Sequence, residues 1–303
     1  MRYGFIGLGN LGGKLAASLV RGGFDVTVCD RDPAAVARLV ALGAKSAATP
    51  REAVAGADAA ITCMPSPAVS MAVLSGPDGV LAGLGAGGTW IEMSTNDQQE
   101  IERLAAHAAA DGVRTLEAPV TGGVHLAASG EITVLVGGDE ALFAAHRPAF
   151  AAMGGTILHM GALGSAAVIK VITNMLAFIH LVAAGEALML AKRGGLDLAK
   201  AFHAIKASSG NSFVHETESQ LVLNGSYDIA FTMDLACKDL GFAMRLGQQF
   251  GVPLDLAGMT NQTFIRAREN FGGDAWSTMV VKLLEDALKT PLRAEGFPAR
   301  LEA

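Results

Sequence analysis

The sequence predicts an α/β domain with a largely parallel sheet, followed by an all-helical domain that opens on one long helix, and three observations predict it. Short β-type runs alternate with helical patterns through the first half of the chain, the signature of βαβ units. A glycine-rich turn follows the first of those runs and opens the first helical pattern. After Gly164 the strand signals vanish and Ala/Leu/Met-rich helical patterns take over. The expected domains are therefore residues 1–163 and 164–303.

Taken in order, the β-type runs lie at 3–8, 26–29, 59–63, 89–93, 114–117, 132–136 and 156–159. Apolar residues near helical spacing mark crossover helices from the glycine turn to about Val20, and at 33–42, 98–110 and 140–153. The second domain shows helical patterns at 165–193, 198–207, 231–250 and 258–270. Gly194-Gly195 and Gly251-Val252-Pro253 supply helix stops. Glycine clusters at 83–88 and 122–123 read as loops, and the polar cluster 208–212 could line a substrate pocket or be simply a loop between helices.

Composition narrows the function classes. At 303 residues, 51% hydrophobic and 17% charged, the chain can bury a sizeable core and is too apolar to be disordered. A net charge of -6 with interspersed signs offers no basic stripe for a duplex, so nucleic acid is not an expected partner. Cys29, Cys63 and Cys237 are widely spaced, which argues against a disulfide framework and a zinc site and fits a reducing, cytoplasmic compartment. The N-terminus runs at once into Tyr3-Gly4-Phe5-Ile6-Gly7, without an export-signal pattern. The apolar stretch 171–191 is long enough to test as a membrane span, yet it holds Asn174, His180 and Glu186 and reads as a buried helix, so no membrane is expected.

Gly7-Leu8-Gly9-Asn10-Leu11-Gly12 fits G-x-G-x-x-G between a strand and a helix. In such a turn the first glycine permits the bend, the second admits a pyrophosphate close to the backbone, and the third lets helix and strand pack together. The N–H groups at the helix start then face the phosphate charge. Asp30, 18 residues after Gly12, stands where a carboxylate holds the adenosine ribose hydroxyls, and this favours NAD. Arg31 could pair with a 2′-phosphate, which keeps NADP as the alternative, or be a solvated loop charge. Asp30 outweighs it, because a carboxylate repels a 2′-phosphate at close range.

Lys170 and Asn174 are four residues apart, on one face of the long apolar helix. A buried ammonium needs partners and shifts its pKa towards acid/base use. From spacing alone, a lysine snorkelling beside a hydrogen-bonded asparagine is an equal reading.

These motifs together resemble the β-hydroxyacid dehydrogenase family, which includes 3-hydroxyisobutyrate dehydrogenase and tartronate semialdehyde reductase. The resemblance covers essentially the whole chain. It rests on the segment 4–12, on Glu117-Ala118-Pro119-Val120-Thr121-Gly122-Gly123, on Lys170 and Asn174, and on Lys238-Asp239, in that order. It implies a Rossmann-type dinucleotide-binding domain, hydride transfer between NAD(P) and a small β-hydroxyacid or semialdehyde, and a homodimer or homotetramer. Residue by residue, it implies Lys170 as general acid/base, Asn174 orienting the substrate, and Thr121, Gly122 and Gly123 receiving the substrate carboxylate. Lys238 would close over substrate and nicotinamide. Cofactor contacts carry over to Gly7, Gly9, Asn10, Leu11, Gly12, Asp30, Arg31, Met64, Pro65, Ser94, Thr95 and Lys238. Ser94, Thr95 and Asn96 would equally suit a helix cap.

Two positions depart from the family pattern: Thr121 stands where serine is usual, and Ala166 where glycine is usual. The first adds a methyl group to the substrate pocket; neither removes a reacting group. His125, His180 and Glu186 read as solvent or packing residues rather than acids or ligands. The competing readings are an imine or ketone reductase on the same scaffold, against which Lys170 speaks, a dinucleotide-binding scaffold without turnover, and a phosphogluconate dehydrogenase, which needs a larger helical domain.

Overall fold

The computed structural model describes residues 1–302 and divides into two compact units, Met1–Lys170 and Val171–Glu302.

In the first unit the elements run β1 (Arg2–Ile6), α1 (Gly12–Arg21), β2 (Asp25–Cys29), α2 (Pro33–Val40), β3 (Lys45–Ser46), α3 (Pro50–Val54) and β4 (Ala59–Thr62). They continue through α4 (Pro67–Ser75), α5 (Leu81–Leu84), β5 (Thr89–Glu92), α6 (Gln98–Ala110), β6 (Arg114–Glu117) and β7 (Val120–Thr121). The unit closes with α7 (Val124–Ser129), β8 (Ile132–Gly137), α8 (Glu140–Met153), β9 (Gly154–Gly161) and the start of α9 (Ser165–Arg193). The sheet order is β3-β2-β1-β4-β5-β6-β8-β7, with β9 beside β8. Strands β3 to β6 are parallel, in registers such as Phe5 opposite Val28 and Ile61.

Both faces of the sheet are covered, which is why β4 and β5 are buried at every position rather than alternating. One face packs Phe5, Val28, Ile61 and Leu116 under Leu15 and Leu19 of α1 and Phe150 of α8. The other packs Ile6, Ala60 and Trp90 against Leu74 of α4 and Ile101 and Leu104 of α6.

The sheet is not parallel throughout: β8 runs antiparallel to β6 and β7, and β9 then pairs parallel to β8. A parallel return needs a crossover about as long as the strand itself. Only α7 is available, roughly 9 Å long for six residues, against roughly 20 Å for the six residues of β8. The chain therefore turns back at β7.

The second unit continues along α9 through α10 (Leu198–Lys206), α11 (Phe213–Asn224), α12 (Met233–Phe250), α13 (Asp255–Phe271), a 3₁₀ turn (Ser277–Val281) and α14 (Lys282–Leu288). Among its described residues the β pairing is a single bridge, Thr232 to Trp276. Its core gathers Phe178, Leu181 and Leu188 of α9 with Phe202, Leu223, Leu240, Phe264 and Val281. Helix α9 is less buried than its sequence suggests. Only 33% of its most apolar stretch is covered within the chain, and Leu190 is 76% exposed.

Candidate active site

The turn between β1 and α1 is built by close approach. The Gly7 N–H donates to the Cys29 carbonyl (3.1 Å), and Gly7 takes φ +95°, a left-handed value that glycine tolerates. A Cβ on Gly12 would lie 2.1 Å from the Gly7 oxygen, and one on Gly7 2.4 Å from the Cys63 oxygen, so both positions press against backbone. At Gly9, by contrast, a Cβ would meet nothing within 4 Å. The turn is thus tight at its two ends and open in the middle, a cradle that fits a pyrophosphate at the N-terminus of α1.

Asp30 is tied to that cradle. Its carboxylate accepts the Leu8 N–H (2.6 Å) and the Asp32 N–H (2.8 Å), which fixes it at the end of β2 beside the glycine turn, while Arg31 is exposed. Strands β1 and β4 are neighbours where the strand order reverses, the point at which open α/β sheets bind their ligands. There the Met64 N–H donates to the Ser94 hydroxyl (2.6 Å), linking the residues that follow β4 and β5. Ser94 caps no helix: Asp97 accepts the Glu100 N–H and starts α6.

Behind Ser94 stands Glu92, which the sequence reading passed over. Its carboxylate accepts from the Ser94 N–H and the Thr62 hydroxyl, each at 2.8 Å, and Trp90 Nε1 donates in turn to Thr62. Burial pushes the Glu92 carboxyl above the usual range, and hydrogen bonds from Ser94 and Thr62 pull it back. The signal for it was an acid at the last position of a fully buried strand.

Thr121 ends β7 opposite Thr133 of β8. Gly122 and Gly123 follow at φ +121° and +95°, so the backbone curls before α7 as a chain with side chains would resist. The His125 ring lies against Gly123, and burial holds its imidazole below the ordinary value.

Lys170 sits one turn into α9 and is only 7% exposed. Asn174 follows one turn later and donates from Nδ2 to Asp239 of α12 (2.6 Å). Asp239 is buried and also pairs with Lys238, Nζ to Oδ1 at 2.7 Å, while the Lys238 ammonium stands 4.6 Å over the Phe242 ring. Asp239 entered the sequence reading only as a motif letter; the structure makes it the residue that joins Asn174 to Lys238. His180 and Glu186 are exposed on α9, away from this cluster along the helix.

A glycine cradle at the switch point of a doubly covered sheet, followed by an all-helical unit, defines a dinucleotide-binding protein. Residues 2–161 match the family described as the NAD binding domain of 6-phosphogluconate dehydrogenase, and residues 164–284 the family described as NAD-binding of NADP-dependent 3-hydroxyisobutyrate dehydrogenase. The chain belongs to the β-hydroxyacid dehydrogenase family and is an NAD(P)-dependent hydroxyacid dehydrogenase. It is 32% identical to 2-(hydroxymethyl)glutarate dehydrogenase of Eubacterium barkeri, over 94% of this chain and 95% of that one. It is likewise 32% identical to L-threonate dehydrogenase of Cupriavidus necator, over 96% and 98%. Among solved structures, 3-hydroxyisobutyrate dehydrogenase from Salmonella typhimurium superposes with a TM-score of 0.86 at 31% identity, over 93% of this chain and 99% of that one.

Proposed function

We propose that the protein interconverts a small β-hydroxy carboxylate and its semialdehyde, with NAD as the preferred cofactor and Lys170 as general acid/base. The observation that carries this reading is Lys170, a lysine buried in an apolar helix one turn before Asn174. A buried ammonium is costly to keep, so its presence there favours a chemical use.

When bound, the nicotinamide ring supplies or accepts the hydride. In the reductive direction, the Lys170 ammonium donates a proton to the carbonyl oxygen as it becomes an alkoxide; in the oxidative direction, the neutral amine removes that proton from the hydroxyl. The Asn174 Nδ2 bond to Asp239 holds in place the amide that would orient the substrate. The Thr121 hydroxyl and the N–H groups of Gly122 and Gly123 suit a carboxylate. Asp30, Met64, Pro65, Ser94 and Thr95 would hold the dinucleotide together with the 7–12 turn.

The relatives named above act on 2-(hydroxymethyl)glutarate and L-threonate, and a solved neighbour on 3-hydroxyisobutyrate. The test is therefore a nicotinamide-reduction assay of those three acids and their methyl esters, each with NAD and with NADP. At least one acid should turn over, its ester at least ten times more slowly, because the ester lacks the charge that the anion site reads. NAD should give the higher kcat/KM, since Asp30 would hold the ribose hydroxyls and repel a 2′-phosphate. Equal rates for acid and ester would overturn the anion site, and an advantage for NADP would hand the cofactor choice to Arg31.

The helical unit is further proposed to join copies of the chain. Leu190 of α9 and Leu256 and Met259 of α13 are 76%, 66% and 71% exposed, large apolar side chains whose cover would be gained by association. Light scattering at micromolar concentration should give a multiple of 31.1 kDa, consistent with a dimer or tetramer; a single 31.1 kDa species would rule this out.

A further inference from the structure

Glu117 closes β6 and turns its carboxylate onto the first turn of α9. Oε1 accepts the N–H groups of Gly164 (2.6 Å) and Ala166 (3.0 Å), and Oε2 that of Ala167 (2.9 Å). These are the orphan donors that every helix start leaves unsatisfied, and one side chain from a different element takes three of them. The place is built to receive it. Glu117 is 1% exposed, and its register partner on β8 is Gly137, where a Cβ would lie 2.2 Å from Oε1.

Two parts of the proposed chemistry meet at this carboxylate. Lys170 lies three and four residues beyond Ala167 and Ala166, on the same helix face and one turn further along. Thr121 lies four residues after Glu117 along the chain, at the far end of the short run Ala118-Pro119-Val120. We propose that Glu117 is a positioning residue for the reaction, fixing the turn of α9 that carries Lys170 against the strand end that leads into residues 121–123. The inference rests on the reading of Lys170 as proton donor and adds to it the residue that sets where that donor stands.

The carboxyl also titrates in a useful range. Burial pushes it up to about 7, the three backbone N–H groups draw it back, and Glu102 of α6 raises it further. Ionisable groups on the elements around it include Glu92, its register partner on β5, Arg114 at the start of β6, Glu100, Arg103 and His107 beside Glu102 on α6, and Lys170 on α9. Below pH 7 the protonated carboxyl has one oxygen committed as a donor, and the three-bond clamp loosens. Stability runs the opposite way. A carboxyl raised above its unfolded value of 4.5 contributes stability that is present below that value and lost as pH rises through about 7. Loss of the clamp in acid should therefore lower kcat while Glu117 protonation favours the folded state, a split that a merely structural carboxyl would not show.

The test compares Glu117→Gln, Gly137→Ala and Lys170→Ala, using whichever of the three acids above gives the highest turnover. Glutamine keeps one oxygen but sets an NH₂ donor against the Ala167 N–H. Glu117→Gln should lower kcat by about 10–100-fold, the scale of an ångström-sized misplacement. Dinucleotide Kd, read by fluorescence of the reduced cofactor, should stay within threefold, and the limb of the kcat profile near pH 7 should disappear. Gly137→Ala, which pushes on Oε1 without removing the charge, should lower kcat in the same way and carries the test if Glu117→Gln does not fold. Turnover within threefold of the unmodified protein in whichever variant folds, or a loss matched by weaker dinucleotide binding, would overturn the proposal. If Lys170→Ala alone abolishes turnover, only the positioning role falls; if Lys170→Ala leaves turnover intact, the general-acid reading falls instead.

Discussion

Lys170→Ala is expected to lower kcat by about 10²–10⁴, the contribution of a positioned proton donor, while leaving dinucleotide binding intact. The separation follows from where the residue sits. The glycine turn, Asp30 and the Ser94–Met64 link are carried by the loops after β1, β2, β4 and β5, and the bonds from Gly7 to Cys29, Leu8 to Asp30 and Met64 to Ser94 run among those loops. Stopped-flow turnover with a Kd for the reduced dinucleotide tests both halves. Near-normal kcat would remove Lys170 from the chemistry, and lost cofactor binding would show that α9 supports the dinucleotide turn.

The contrast between the glycine turn and the Glu117 clamp shows what a sequence can and cannot disclose. The 7–12 turn was legible because its constraints are local. Three glycines at fixed spacing after a strand leave few other uses, and Asp30 stands at a known offset. Helices α6, α8 and α9 were equally legible, with acids at Asp97 and Asp139 announcing the first two. Elements that follow no period were not. Strands β3 and β7 have two residues each, and α11 hides its face because His215 and Ser219 sit inside it, His215 bonded to the Phe202 carbonyl. The reversed β8 depends on the length of α7, a geometric fact with no letter in the sequence. Glu92, Glu117 and Asp239 share the same reason for escaping notice. Each is an acid with a partner 30, about 50 or 65 residues away, so its role exists only once the chain has folded.

Gly12 and Gly9 allow the cofactor turn itself to be separated from the fold. In Gly12→Ala, the new Cβ would stand 2.1 Å from the Gly7 oxygen and 3.1 Å from Cys63 Cβ, so α1 must back away from β1. Overpacking of that kind costs about 1–3 kcal/mol. If the strain is relieved by displacing the turn, dinucleotide affinity should fall by roughly 10–100-fold at 1.4 kcal/mol per decade, with a lower Tm. In Gly9→Ala the new methyl group meets nothing within 4 Å, so the fold should be indifferent to it. It would nevertheless enter the space through which a pyrophosphate approaches the backbone. Gly9→Ala should therefore weaken dinucleotide binding by at least tenfold at unchanged Tm, while Gly12→Ala loses both. Calorimetric titration beside thermal melting reads the two quantities independently. Normal binding by Gly9→Ala would mean that the phosphates do not pass over the open middle of the turn.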